Sequence, residues 1–298
     1  MIKTEGGDFV SDLPLVSIYI ITHNRSELLK RAVESVRNQT YKKLEIIIVD
    51  DFSSDNTSEV VDEIISCDPR VKYIKNDLNR GACYSRNCAI KLSSGEFITG
   101  LDDDDYFLPD RVESFVNSSD LLESYSCLFS DVIWKTKSGF NKAKINNYFK
   151  RSVYFNDLLF FNFIGNQIFT KTSVFKDNLF DEKLDSWQDL DCWMSLMKKL
   201  GLPAYNVRKY NYVQDISHPH ERISTSKINK VEKSFRLISL KYRLNLYERM
   251  VLKNQLIMYG VNKISAIPSL VLTLFKFEMT YFLVFCRNVS FLIFRRKR

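Results

Sequence analysis

Several constraints that would narrow the class of this chain are missing from it. Its six cysteines, at 67, 83, 88, 127, 192 and 286, form no C-x-x-C pair, so neither a zinc site nor a disulfide framework is supported and a reducing compartment is expected. The opening segment, MIKTEGGDFVSDLP, has no apolar signal core, which argues against secretion and makes Asn-x-Ser/Thr triplets such as Asn38-Gln39-Thr40 chance matches. No uncharged apolar run reaches the roughly 20 residues of a transmembrane helix. No internal repeat or low-complexity linker is visible. What remains is a chain of 298 residues, 45% hydrophobic and 27% charged, in the ordinary range for a globular protein. That length suits one large domain, or two halves sharing a sheet, plus an appendage. The formal charge of +7 raises the question of nucleic acid, but many of the cations lie near the C-terminus, and placement matters more than the sum.

The first part of the chain alternates two patterns. Val16 to Ile21 is a continuous apolar run, and Ser26 to Asn38 follows with Leu28, Leu29, Ala32, Val33 and Val36 at helical spacing. Leu44 to Val49, Thr57 to Ile65, Val71 to Ile74 and Ala82 to Leu92 repeat the strand–helix cycle and lead to Phe97-Ile98-Thr99-Gly100-Leu101. Apolar strands alternating with helices predict an α/β fold, a Rossmann-like, mostly parallel sheet flanked by helices. Ligands of such sheets gather at the carboxyl ends of the strands. Three polar segments fall there: Thr22 to Arg25, Asp50 to Asp55, and the four consecutive aspartates Asp102 to Asp105.

Four adjacent carboxylates raise one another's pKa values unless a cation neutralises them, and hard oxygen ligands suit Mg2+ or Mn2+. A divalent ion held there would in turn hold a diphosphate. The alternative is a solvated acidic turn. An acidic mouth also argues against nucleic acid as a partner, since it repels phosphate unless a metal intervenes.

From about 114 to 225 the pattern is less regular, with a strand-like Cys127 to Trp134, an aromatic stretch Tyr154 to Phe163, and a helix from Asp189 to Leu200 closed by Gly201. Phe160, Phe161 and Phe163 suit either a core or a sugar-stacking surface. Residues 227–259 mix charge with helical spacing. From Ile264 to Phe294 the chain is strongly apolar but interrupted by Lys276, Glu278 and Arg287, and it ends in Arg295-Arg296-Lys297-Arg298. An apolar helix face with a basic tail suits an anionic membrane surface, with packing on the protein's own core or a homodimer contact as the alternatives.

Together, Val16 to Arg25, Ser35 to Tyr41 and Glu45 to Thr57 resemble family 2 glycosyltransferases with the GT-A fold. Asn79-Arg80-Gly81, Ser85-Arg86-Asn87, Ser94 to Ile98 and Leu101 to Asp105 followed by Pro109 keep the family's order and spacing. The resemblance covers residues 14 to 115 strongly and 180 to 226 weakly. It implies a nucleotide-sugar-binding half at 14–115 and an acceptor-binding half at 116–226 of one GT-A domain; the residue pattern beyond them gives a C-terminal helical extension at 227–298 with 264–298 as its membrane-associating segment.

The same resemblance implies a nucleotide-sugar donor, most often a UDP-sugar, and inversion at the anomeric carbon. Thr22, Asn24, Arg25 and Glu27 then fall in the first nucleotide-contacting loop, Asp51 faces the base, and Asp50 is structural. Arg86 is expected near the nucleotide or diphosphate. Asp102-Asp103-Asp104 corresponds to the family's D-x-D motif, with Asp104 on the metal, Asp102 acting through ribose or water, Asp105 assisting, and Asp103 at the variable position facing solvent. The family's Glu-Asp pair before a helix corresponds to Gln188-Asp189, so Gln replaces Glu. Asp189 is the expected general base and Asp191 the second candidate, while the bland reading of Asp189 is a carboxylate stabilised at a helix N-terminus. In the histidine-containing stretch from His218 to Ser226, His220 is expected to contact the metal or diphosphate and Arg222 the leaving group, with His218 competing for the place of His220. The implied acceptor is a saccharide, lipid-linked at the cytoplasmic membrane face. A soluble acceptor with a dimerising tail, or sugar-nucleotide binding without catalysis, are the rival readings.

Overall fold

Apolar strands buried on both faces alternate with amphipathic helices through the first third of the chain. The computed structural model describes residues 13–142, 151–218, 228–259 and Cys286. In it β1 (Val16–Thr22), α1 (Ser26–Arg37), β2 (Leu44–Asp50), α2 (Thr57–Cys67), β3 (Val71–Lys75), α3 (Ala82–Leu92) and β4 (Phe97–Asp102) follow one another in strict alternation. The four strands pair in parallel in the order β3-β2-β1-β4, with Ile18 opposite Ile46 on one side and Thr99 on the other. α1 forms where the sequence pattern places it because Leu29, Ala32, Val33 and Val36 make one buried stripe.

Beyond β4 the chain adds β5 (Tyr106–Phe107), α4 (Arg111–Val116), β6 (Cys127–Thr136), β7 (Gly139–Lys142), β8 (Ser152–Val153), α5 (Phe155–Phe160), β9 (Phe169–Lys171), α6 (Thr172–Lys176), α7 (Gln188–Leu200) and β10 (Ala204–Asp215). β9 is antiparallel to both β4 and β6, while β6 and β10 pair in parallel, so the main path of the sheet runs β3-β2-β1-β4-β9-β6-β10-β5, with β7 paired to β6 and β8 to β10. The two halves of the chain therefore share one sheet. Side chains alternate across it. Ile18, Ile20, Ile46 and Ile48 pack with Phe97, Phe115 and Phe169 on one face, and Tyr19, Ile47 and Val49 pack with α7 residues Leu190, Trp193 and Met194 on the other.

A buried polar cluster pins the amino ends of the strands, opposite the expected site. The Glu45 carboxylate accepts hydrogen bonds from Ser17 Oγ, from the Ser94 hydroxyl at 2.8 Å and from the Gly95 amide at 2.9 Å, and pairs with Lys72 at 2.8 Å. Although burial works against the charge, these donors hold its pKa down at about 2. Gly95 is required there because a Cβ would stand 2.7 Å from the Leu15 carbonyl oxygen and the Ser17 amide. The Ser94-Gly95-Glu96 element of the motif series is thus a fastening of the fold.

The chain after residue 227 is built into the same core over its first part. It forms α8 (Ile228–Lys241), α9 (Leu246–Lys253) and the 3-10 turn Asn254–Tyr259, and Ile238 of α8, Tyr242 and Leu244 of the α8–α9 connection, and Val251 and Leu252 of α9 join the apolar cluster around α7. Gln255 Nε2 donates to the carbonyls of Leu158 and Leu159 at 2.7 and 3.0 Å. Among the described residues no helix is long and apolar enough to cross a membrane. The membrane-associating segment expected at 264–298 lies outside the described residues, apart from Cys286.

Candidate active site

The carboxyl ends of β1, β2 and β4 open into a cleft of about 590 Å3, in the range of small-molecule sites. Thr22, Arg25, Asp51, Arg86, Asp102, Asp103, Asp104 and Asp189 all line it. Residues from three strand ends with their loops and from two helices, scattered over 168 positions of sequence, meet because each follows a parallel strand or lies in the first turns of a helix aimed at the sheet's edge.

The turn after β4 organises the aspartates. Its backbone closes through the Asp105 amide on the Asp102 carbonyl at 3.0 Å, and this swings Asp103 inward. Thr22 Oγ1 donates to Asp103 at 2.8 Å and Arg25 Nη1 lies 3.0 Å from it. Asp103 is therefore buried, 5% exposed, rather than facing solvent as expected, and it ties the β1–α1 loop to the aspartate turn. Burial pushes its pKa up to about 6, against Arg25, and neighbouring Asp104 adds to the rise.

Asp104 stands 3.5 Å from Arg25 and 3.3 Å from His218 Nε2. Asp102 accepts from Arg86 at 3.3 Å, from Gln167 at 3.0 Å and from Asn166 at 2.7 Å. Gln167 reaches this position because residue 100 is glycine, where a Cβ would collide with Gln167 and Tyr19. Asp105, fully buried, accepts from the Tyr212 hydroxyl at 2.8 Å and from the Asp215 amide at 2.9 Å, anchoring β10 to the aspartate turn. One oxygen from each of Asp102, Asp104 and Asp105 lies within 4.8 Å of the others. Three hard oxygen donors so close together fit Mg2+ or Mn2+ in charge and chemistry.

The other donor-loop residues divide. Asp51 lines the cleft, and its carboxylate accepts from Asn76 at 2.8 Å and from the amides of Arg80 and Gly81 at 2.9 and 2.7 Å. It thereby shapes the Asn79-Arg80-Gly81 turn, in which Gly81 has φ of +87°. Asp50 is fully buried and accepts from the Ser53 amide and the Tyr73 hydroxyl, the structural role expected of it. Asn24, with φ of 53°, spends its carbonyl oxygen on the Ser54 amide at 2.7 Å and joins the first two loops without lining the cleft. Glu27 lies on the exposed side of the first turn of α1, where it faces the exposed helix N-terminus rather than the cleft.

Arg86 connects the two halves. Its guanidinium is 5% exposed and spans Asp102 and, at 2.9 Å, Gln188 Oε1, so it is no surface cation. Asp189 follows Gln188 in the first turn of α7. Its Oδ1 is enclosed and has no hydrogen-bond partner among the described residues. Burial raises the Asp189 pKa to about 7, opposed by Arg86 and assisted by Asp102. A carboxyl group in the cleft wall, poised near neutrality with one oxygen uncommitted, has the attributes of a general base.

Asp191 does not belong to this site. Two residues along a helix is a rotation of about 200°, so its side chain leaves the opposite face from Asp189. There it is 1% exposed, pairs with Lys241 at 2.6 Å and accepts from the Tyr242 hydroxyl at 3.0 Å, fastening the C-terminal extension to α7. The second candidate base is thus a structural ion pair. His220 and Arg222 lie outside the described residues; the histidine beside Asp104 is His218. Sequence reasoning also missed Asn166, Gln167 and Tyr212, which hold the aspartates from irregular chain or from a neighbouring strand and carry no motif, and Trp187 and Tyr259, which line the far side of the cleft.

Residues 17–177, more than half of the chain, match the family model for glycosyl transferase family 2. The chain is 38% identical over 217 residues to a putative colanic acid biosynthesis glycosyl transferase, WcaA, of Escherichia coli K12, covering 72% of this chain and 76% of that one. It is 32% identical over 197 residues to the Escherichia coli UDP-Glc:alpha-D-GlcNAc-diphosphoundecaprenol beta-1,3-glucosyltransferase WfaP, covering 65% and 74%. In structure it is similar to Staphylococcus aureus TarS 1-349 in complex with UDP-GlcNAc, with a TM-score of 0.64, 19% identity, and coverage of 93% and 81%. It is also similar to the mannosyltransferase PcManGT of Pyrobaculum calidifontis in complex with GDP-Man and Mn2+, with a TM-score of 0.61, 15% identity, and coverage of 95% and 81%. These two likenesses concern the fold, which is GT-A. On the family match and the sequence relatives, the chain belongs to glycosyl transferase family 2 and is a glycosyltransferase.

Proposed function

We propose that this chain transfers a sugar from a nucleotide-sugar donor, a UDP-sugar, to a hydroxyl of a lipid-linked saccharide in surface polysaccharide synthesis, with inversion and with Mn2+ or Mg2+ as cofactor. The observation that carries the reading is Asp189. Its enclosed, uncommitted Oδ1 sits in the same cleft wall that faces the Asp102–Asp104 turn, and its pKa of about 7 lets it accept a proton at neutral pH. Asp189 takes the proton of the acceptor hydroxyl as that oxygen bonds to the anomeric carbon, and the bond to the nucleoside diphosphate breaks on the opposite side with its electron pair. Asp102, Asp104 and Asp105 would hold the divalent ion, which when bound neutralises the diphosphate. Arg86 holds Asp102 and Gln188 in register across the two halves and tempers the rise in the Asp189 pKa.

The relatives support the acceptor class, WfaP being named for a glucosyl transfer to a diphosphoundecaprenol-linked sugar. Such an acceptor fits peripheral attachment to the cytoplasmic membrane face through residues 264–298, with Arg295 to Arg298 near anionic headgroups. A panel of UDP- and GDP-sugars with Mn2+ tests the donor: a cognate donor raises the melting temperature and is consumed when a lipid-linked saccharide is added. No stabilisation by any nucleotide-sugar, with or without metal, would defeat this reading.

A further inference from the structure

We propose that Trp187, Tyr259 and Phe161 form an aromatic platform against which the acceptor's pyranose ring stacks, so that the C-terminal extension supplies one wall of the acceptor subsite. This rests on the glycosyltransfer reading above and adds the groups that contact the acceptor. Three observations carry it. Trp187 is the N-cap residue of α7 with φ of 58° and ψ of 26°, a left-handed conformation that a bulky side chain seldom adopts, and its side chain makes no cap hydrogen bond. Asn, Asp or Gly would serve that backbone better, so strain is retained at the residue two positions before Asp189.

The indole meets Tyr259 of the 3-10 turn edge-on, with ring centroids 6.4 Å apart and planes at 63°, and both side chains line the cleft together with Phe161. The distribution of rings is the third observation. Among the described residues, every Phe, Tyr and Trp lining the cleft lies outside residues 14–115, whereas the donor loops contribute carboxylates, guanidinium groups and amides. Aromatic faces suit the C–H face of a pyranose, and polar side chains of the same cleft, Gln214 among them, suit its hydroxyl edge. Stacking fixes the ring plane, and one ring hydroxyl is then directed to Asp189 at the adjoining helix turn.

The test uses the full chain, its cognate UDP-sugar with Mn2+, and p-nitrophenyl pyranosides as acceptor probes. Trp187→Gly is the main variant, because glycine accepts the left-handed backbone and preserves the fold; Tyr259→Ala is the second. Each is expected to raise the acceptor KM roughly tenfold, the scale of one lost aromatic contact, while calorimetry gives the wild-type affinity for UDP with Mn2+. Trp187→Phe should recover most of the loss. Wild-type transfer with an unchanged acceptor KM in both variants would overturn the platform alone. Absence of both transfer and donor hydrolysis in the wild type would overturn the catalytic reading, and the platform with it.

Discussion

Restoring the family's acidic residue by Gln188→Glu should move the pH dependence of catalysis upward. A general base works when ionised, so with an Asp189 pKa of about 7 the rate rises with pH through neutrality. In the wild type, Gln188 Oε1 accepts from Arg86 at 2.9 Å without adding charge, and Arg86 is the cation that favours the ionised form of Asp189. A glutamate there adds a negative charge beside Asp189 and competes for the same guanidinium. Two like charges roughly 7 Å apart at an effective dielectric of about 20 repel by ~2.4 kcal/mol. Partial neutralisation by Arg86 leaves about half, which corresponds to an inflection raised by roughly one pH unit. Activity at pH 7 should then fall about fivefold, because about a tenth of the base is ionised instead of half, and should recover above pH 9. The assay is kcat/KM from pH 5.5 to 9.5 at saturating metal, with Asp189→Asn as the reference variant, expected to lose roughly 100-fold or more. An inflection in Gln188→Glu that stays in place or moves down would refute the assignment of the ionisation to Asp189.

Asp104→Ala should abolish Mn2+-dependent UDP binding in calorimetry, since it removes one of three oxygens within 4.8 Å of one another; wild-type affinity would return the aspartates to an acidic turn. Asp191→Asn should lower stability by about 1–3 kcal/mol in urea melts, because the ion pair with Lys241 is lost and one of the two oxygens that accept from Lys241 and Tyr242 becomes a donor. Its pH–rate inflection should stay where the wild type has it, and a shift would place Asp191 in the chemistry after all. Truncation before Ile264 should abolish binding to anionic vesicles and spare nucleotide binding, as the donor loops all precede it. High salt should weaken attachment of the full chain without eliminating it, by screening the terminal cations while leaving the apolar face; equal vesicle binding by both forms would assign the tail another role.

Local pattern carried the donor half because each of its parts is a short-range event. A buried parallel strand must be apolar throughout, its covering helix must repeat at 3.6 residues, and the polar residues between them have only the sheet's carboxyl edge to occupy. β1 to β4 and α1 to α3 were legible for that reason, and so was the gathering of Thr22, Asp51 and the aspartates, while Arg86, inside a helix, was placed only by the family resemblance. β5 and β9 escaped, since strands of two and three residues are too short to show a period, and their place is set by partners more than 40 residues away.

What the sequence by itself determined was the fold class, the edge of the sheet that bears the site, and Asp189 as the carboxylate to watch. Tertiary structure decided the rest, because electrostatic roles depend on which groups are brought together and how far water is kept from them. Asp103 was displaced from solvent into the grip of Thr22 and Arg25 by the turn after β4. Asp189 and Asp191, close in sequence and alike in chemistry, were put in opposite settings, one in the cleft wall and one in a buried ion pair, by helical rotation and by the arrival of Lys241 from a different part of the chain. The cleft's aromatic wall joined Trp187 to Tyr259 across 72 residues, a contact that exists only because the extension packs its apolar face against α7.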